Sequence, residues 1–135
     1  QPRNNQNILI AGYGTGYAAA LFSSLVEEVY VAEFNEELTE EYSRLLNELG
    51  RENVFIKPAS SFHSWSDNTP FDLLFLHGAL RSVQATTVDL VHDNGRICYS
   101  FADDSGFQIL SLIERQGMLF SIKQLGESFV PFLDD

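Results

Sequence analysis

The chain has 135 residues, a net charge of −11, 44% hydrophobic and 20% charged residues, the composition of one globular domain (1–135) rather than of a disordered segment. Its acids crowd between Glu27 and Glu52 with no Lys/Arg cluster to offset them, which excludes a nucleic acid as the expected partner. No apolar run approaches the ~20 residues that cross a bilayer, and the start, Gln1 to Asn7, lacks the apolar centre of a signal peptide; a cytoplasmic monomer with no membrane partner is expected.

Asn7 to Tyr17 (N-I-L-I-A-G-Y-G-T-G-Y) reads as a short buried strand, Ile8 to Ala11, that breaks into Gly12, Gly14 and Gly16 and enters a helix. Tyr17 to Leu25 has strong helix formers, with an expected apolar face of Ala18, Leu21, Phe22 and Leu25. Val29 to Ala32 is a second strand ending in Glu33. Asn35 is a good N-cap, Glu36 and Glu37 suit a first helical turn, and Leu38, Tyr42, Leu45, Leu46 and Leu49 recur at helical spacing until Gly50. Asn53 to Lys57 is a third strand closed by Pro58. Ser60 to Pro70 is polar and turn-rich, a surface loop or short helix in which Trp65 serves as packing anchor.

Phe71 to Leu76 is almost continuously apolar, as a strand covered on both faces should be, and His77-Gly78 is expected to end it. Ser82 to Val91 reads as a weaker helix, Asp93-Asn94-Gly95 as a turn and Arg96 to Ser100 as a fifth strand, in which Cys98 is an inert core thiol. Asp103, Asp104 and Ser105 are expected to cap a helix with Phe107, Leu110 and Ile113 on its face, ending at Gly117. Leu119 to Leu125 and Phe129 to Leu133 are two β-like segments, expected to pair as a terminal antiparallel hairpin. Strand and helix alternating in this way predict an α/β doubly wound, Rossmann-like sheet, mostly parallel, with that hairpin at its C-terminal end.

Two glycine fingerprints compete for the loop. A dinucleotide site wants G-x-G-x-x-G, which would put glycine where Tyr17 stands; the spacing found is G-x-G-x-G, favouring S-adenosylmethionine over NAD. Glu33, at the end of the next strand, is placed for its carboxylate to accept the ribose hydroxyls of an adenosine ligand. His63, His77 and His92 stand at no metal-ligand spacing and no cysteine pairs with them, so no metal is expected. His77, at a strand's carboxyl end, is either a general base or a satisfied mouth histidine, and Asp72 is read as capping backbone.

The blocks I-L-I-A-G-Y-G-T-G-Y-A-A-A-L, V-Y-V-A-E, E-N-V-F-I-K-P-A-S-S-F-H-S-W, P-F-D-L-L-F-L-H-G-A-L and N-G-R-I, with the tail G-E-S-F-V-P-F-L, resemble the protein-L-isoaspartate O-methyltransferase family in order and spacing. The resemblance implies an S-adenosylmethionine cofactor and a damaged protein or peptide as methyl acceptor, esterified at an isoaspartyl carboxylate. It also implies that Gly12, Tyr13, Gly14, Thr15 and Gly16 hold the methionine part and Glu33 the ribose. Phe34 would cover one face of the adenine, Ser60 would stand opposite its amino group, and His77-Gly78 would lie below the reacting methyl. The sequence departs from the family at Ile10 and Ser60, where acids are usual, at Tyr13, usually threonine, and at Arg81, usually proline. It is also expected to lack the family's N-terminal segment, which helps bind the acceptor. The alternative is a non-catalytic relative that uses the fold as a binding or scaffold module.

Overall fold

A computed structural model of the chain describes residues 6–128, 130, 131 and 133. Seven strands form one sheet: β1 (Asn7–Gly12), β2 (Glu28–Glu33), β3 (Val54–Pro58), β4 (Phe71–Leu80), β5 (Val91–Ala102), β6 (Gln108–Gln116) and β7 (Leu119–Glu127). Their order is β3-β2-β1-β4-β5-β6-β7. The first five pair in parallel, whereas β5–β6 and β6–β7 are antiparallel. The chain builds β1, β2 and β3 toward one edge and then returns to place β4 on the other side of β1, so the strand order reverses between β1 and β4. Open α/β sheets bind ligands beyond the carboxyl ends of strands at such a point.

Alternation along the strands sorts side chains into two cores. Ile8, Ile10, Val29 and Val31 meet Ala19, Val26 and Leu46 on the side of α1 (Gly16–Ser23) and α2 (Glu36–Glu48). Leu9, Ala11, Tyr30, Leu74, Leu76, Ile97 and Tyr99 meet Phe62, Leu90 and Leu133 on the other side. Ile8, Leu9 and Ile10 are completely buried, each side chain contributing about 1.5–3 kcal/mol. Cys98 is half-buried and burial raises its thiol pKa, in keeping with an inert thiol. Asp72 accepts the Asn7 N–H at 2.8 Å, the backbone-capping role expected of it. No helix among the described residues is long and apolar enough to cross a membrane.

The second helix forms as its sequence prescribes: Asn35 accepts the Glu37 N–H at 3.2 Å, and Gly50 stands at φ +71 just past the end. The first does not present the expected face. Ala19 and Phe22 dock on the sheet, Phe22 edge-on to Phe75, while Leu21 is 65% exposed and Leu25 44%. The small alanine lets the helix approach closely, and that contact, rather than the largest side chains, sets its rotation. The turn-rich stretch after β3 holds a 3-10 segment, Phe62–Asn68, from which the Trp65 indole N–H donates to the Val31 carbonyl at 2.8 Å.

Five expectations beyond these are corrected. The strand expected to stop at His77 continues to Leu80, because Ala79 and Leu80 pair with Ser100 and Phe101 of β5; Ala79 also donates its N–H to Pro131 O at 2.7 Å and accepts from Leu133 N–H at 2.8 Å. The helix expected over Ser82 to Val91 is only α3 (Ala85–Val88), since Val91 has already joined β5. The Asp93–Gly95 turn is an irregularity inside β5, with Asn94 at φ 69.

The helix expected after Asp103 is strand β6. Asp103 does cap, but it caps the turn into that strand, accepting from the N–H groups of Ser105 and Phe107 at 2.9 and 3.1 Å. So short a connection suits antiparallel neighbours and leaves no room for a crossover helix. The terminal hairpin is present, built of β6 and β7 instead of Leu119 to Leu125 with Phe129 to Leu133. Of that last segment, Phe129 and Phe132 lie outside the described residues.

Candidate cofactor site

Sheet register makes the site. Gly12 is the Cα partner of Glu33 on β2 and of His77 on β4, so the last residue of β1 stands level with both. Glu33 follows Val29 and Val31 on the same face, which carries its side chain off the sheet toward the starts of α1 and α2. Only glycine suits position 12: its φ is +133, and a Cβ there would fall 2.3 Å from the His77 carbonyl oxygen.

The loop from Gly12 to Gly16 folds around the Glu33 carboxylate. Oε1 accepts the Thr15 N–H and the Thr15 hydroxyl, each at 2.8 Å. Oε2 accepts the Asn35 N–H at 2.8 Å and the Gly14 N–H at 3.3 Å. Glu33 and Thr15 are both 0% exposed. The buried carboxylate is satisfied by these donors and stands at two helix N-termini, whose free N–H groups favour negative charge. Tyr42 covers Gly16 from α2. Its phenol is pushed above the ordinary value, first by burial and then by the charge of Glu33, with Glu41 and Tyr17 adding less.

On the β4 side the loop is held twice. The Tyr13 N–H donates to the His77 carbonyl at 3.2 Å, and the His77 ring nitrogen Nδ1 bonds the Tyr13 carbonyl, which can only accept. That bond fixes the proton on Nδ1. Phe34 donates its N–H to Gly12 O at 2.7 Å, and its ring lies 5.6 Å from the Tyr13 ring, edge-on, and 5.9 Å from Phe62, stacked. Aromatic surface therefore lines one side of the loop, and Tyr13 is part of that lining.

The residues singled out in the sequence are thus gathered: Gly12, Tyr13, Gly14, Thr15, Gly16, Glu33, Phe34 and His77 form one constellation at the carboxyl ends of β1, β2 and β4. Ser60 stands at the same end, exposed in the bend beyond Pro58, which pairs with Glu33. Ile10 is core, with no polar atom to offer the loop. Sequence reasoning missed Tyr42, Phe62 and the Asn35 N–H as parts of the site. Asn35 was marked as a helix cap by its side chain, and nothing local tells that its N–H turns back to Glu33.

The sequence profile of the protein-L-isoaspartate(D-aspartate) O-methyltransferase family matches residues 3–135. Among curated relatives, protein-L-isoaspartate O-methyltransferase 2 of Shewanella sediminis is 29% identical over 128 residues, covering 94% of this chain and 52% of its own. The protein-L-isoaspartate O-methyltransferase of Aeromonas hydrophila is 33% identical over 129 residues, covering 95% and 62%. The chain therefore spans 52% and 62% of the length of these two relatives. Two solved structures share the fold. A protein-L-isoaspartate O-methyltransferase superposes with a TM-score of 0.88 at 22% identity, over 98% of this chain and 43% of that one. A Plasmodium falciparum protein assigned to the same activity, solved in complex with S-adenosyl-L-homocysteine, superposes with a TM-score of 0.78 at 16% identity, over 98% and 67%. Matched along nearly all of its length by the family's profile, the chain belongs to the protein-L-isoaspartate(D-aspartate) O-methyltransferase family.

Proposed function

We infer that this chain holds S-adenosylmethionine at the carboxyl ends of β1, β2 and β4 and serves methyl transfer to the carboxylate of an isoaspartyl residue in protein. The observation that carries the reading is the register that sets Gly12 between Glu33 and His77, with the glycine loop wrapped on the Glu33 carboxylate. A structural relative solved with S-adenosyl-L-homocysteine supports it. The lining fits the cofactor: one carboxylate for a ribose and aromatic surface at Phe34 for an adenine.

Bound there, S-adenosylmethionine supplies an electrophilic methyl group. The acceptor carboxylate is already ionised at neutral pH, so the chain has no proton to remove from it. What the residues contribute is alignment and exclusion of water. In this reading Glu33 orients the ribose, Phe34 covers one face of the adenine with Ser60 opposite its amino group, and Gly12 to Gly16 pass beside the methionine part. His77-Gly78 floors the region below the methyl. The protein is read as a cytoplasmic monomer acting on proteins, its −11 charge disfavouring nucleic acid.

Calorimetric titration with S-adenosylhomocysteine tests the binding half: saturable heat is expected, and a flat titration at millimolar ligand would sink it. Incubation with S-adenosylmethionine and an isoaspartyl peptide tests the transfer half. Methyl ester on that peptide and none on its aspartyl isomer is expected, and ester on neither removes the activity from this chain.

A further inference from the structure

A carboxylate offers about four acceptor positions. At Glu33 the chain itself fills four: the Thr15 N–H and hydroxyl on Oε1, the Asn35 and Gly14 N–H groups on Oε2. The side chain is also wholly buried. A ribose diol brings two further donors to this carboxylate, so it can be accepted only if donors already present give way. Three of the four are backbone amides, held by the loop and by the start of α2. The fourth, the Thr15 hydroxyl, leaves by rotation about one side-chain bond with no movement of the chain. The Gly14 N–H, at 3.3 Å, is the weakest of the amides.

Thr15 opens α1 with helical backbone angles, φ −80 and ψ −9, and its side chain makes no capping hydrogen bond, so the hydroxyl bonded to Glu33 has no capping role to keep.

We propose that Thr15 is the gate of the ribose position: its hydroxyl competes with the ribose for Glu33 Oε1, and an adenosine ligand seats as the hydroxyl turns away from the carboxylate. This rests on the adenosine reading above and makes Thr15 a positioning residue that sets affinity from behind Glu33. A residue that merely shaped the loop would lose ligand affinity when altered; a gate gains it.

The test is calorimetric titration of S-adenosylhomocysteine into the wild-type chain, Thr15→Val, Thr15→Ala and Thr15→Ser. Thr15→Val keeps the volume and removes the donor, and Thr15→Ala removes the donor without adding a methyl, so one serves if the other folds poorly. Both are expected to bind about tenfold to a hundredfold tighter than wild type, the worth of one released hydrogen bond to a carboxylate. Thr15→Ser is expected to match wild type. The gain should shrink with 2′-deoxy-S-adenosylhomocysteine, which brings one ribose donor fewer. Binding no tighter than wild type in both Val and Ala variants overturns the gate and leaves the adenosine reading standing. A flat titration in wild type and both variants overturns the two together, whereas a flat wild type beside a binding variant supports the gate.

Discussion

Tyr13 and His77 are locked to each other in both directions: the Tyr13 N–H donates to the His77 carbonyl, and the His77 ring returns a hydrogen bond to the Tyr13 carbonyl. The imidazole is thereby committed to the loop at Nδ1, which makes it a brace for the glycine turn before it is anything else. His77→Ala should weaken S-adenosylhomocysteine binding by about twofold to tenfold, the worth of one such bond. His77→Asn, whose amide N–H can reach the same carbonyl, should recover most of that loss. Equal losses in the two variants, measured by titration, would contradict the brace.

Gly12 has no tolerable substitute. A Cβ at that position meets the His77 carbonyl oxygen, which belongs to a paired strand and cannot yield, and the φ of +133 is closed to other residues. Gly12→Ala should lower unfolding free energy by at least about 3 kcal/mol. Urea unfolding reads this as a fall in midpoint with an unchanged m-value, and a loss below about 1 kcal/mol would mean that β1 and β4 are not so close.

Gly78 makes room for a side chain from far along the chain. Its Cβ would fall 2.3 Å from Leu133 Cγ, and Leu133 is buried on that side of the sheet. Gly78→Ala should cost about 1–3 kcal/mol by overpacking. In a Leu133→Ala background the same change should cost less than about 0.5 kcal/mol, because the clash is gone. Additive losses in the double-mutant cycle would show that the C-terminal segment does not lie there.

The turn into β6 carries a pH dependence. The Ser105 hydroxyl holds the Asp103 carboxyl below its ordinary 3.8; desolvation opposes it, and the N–H groups of Ser105, Phe107 and Gly106 add to the lowering. A carboxyl depressed on folding stabilises the folded chain fully above its unfolded value, and the contribution is lost as pH falls through the folded one. Thermal midpoints of the wild type should therefore fall faster below about pH 4 than those of Asp103→Asn. Superimposable acid limbs would contradict the assignment.

What the sequence made legible was local. The glycine turn, the acid closing β2 and the capped α2 announce themselves in adjacent residues, and the structure gathers them into one site. What it hid depends on distant partners. Ile109 to Ile113 is a short apolar run that suits helix or strand equally, and pairing with β5 decides for strand. Leu80 ends β4 because Ala79 and Leu80 pair with Ser100 and Phe101 of β5 and Ala79 bonds Pro131 and Leu133, contacts no window around His77 contains. Glu33 could be recognised as a carboxylate at a strand end. That Gly14, Thr15 and Asn35 fill its acceptor positions follows only from loop geometry.

The most direct test of an adenosine site at the ends of β1, β2 and β4 is the amide spectrum of the 15N-labelled chain titrated with S-adenosylhomocysteine. The account predicts progressive shifts concentrated at Gly12 to Gly16, Phe34, Asn35 and His77, with the β6–β7 hairpin unmoved. A spectrum unchanged at millimolar ligand, or shifts confined to that hairpin, would contradict it.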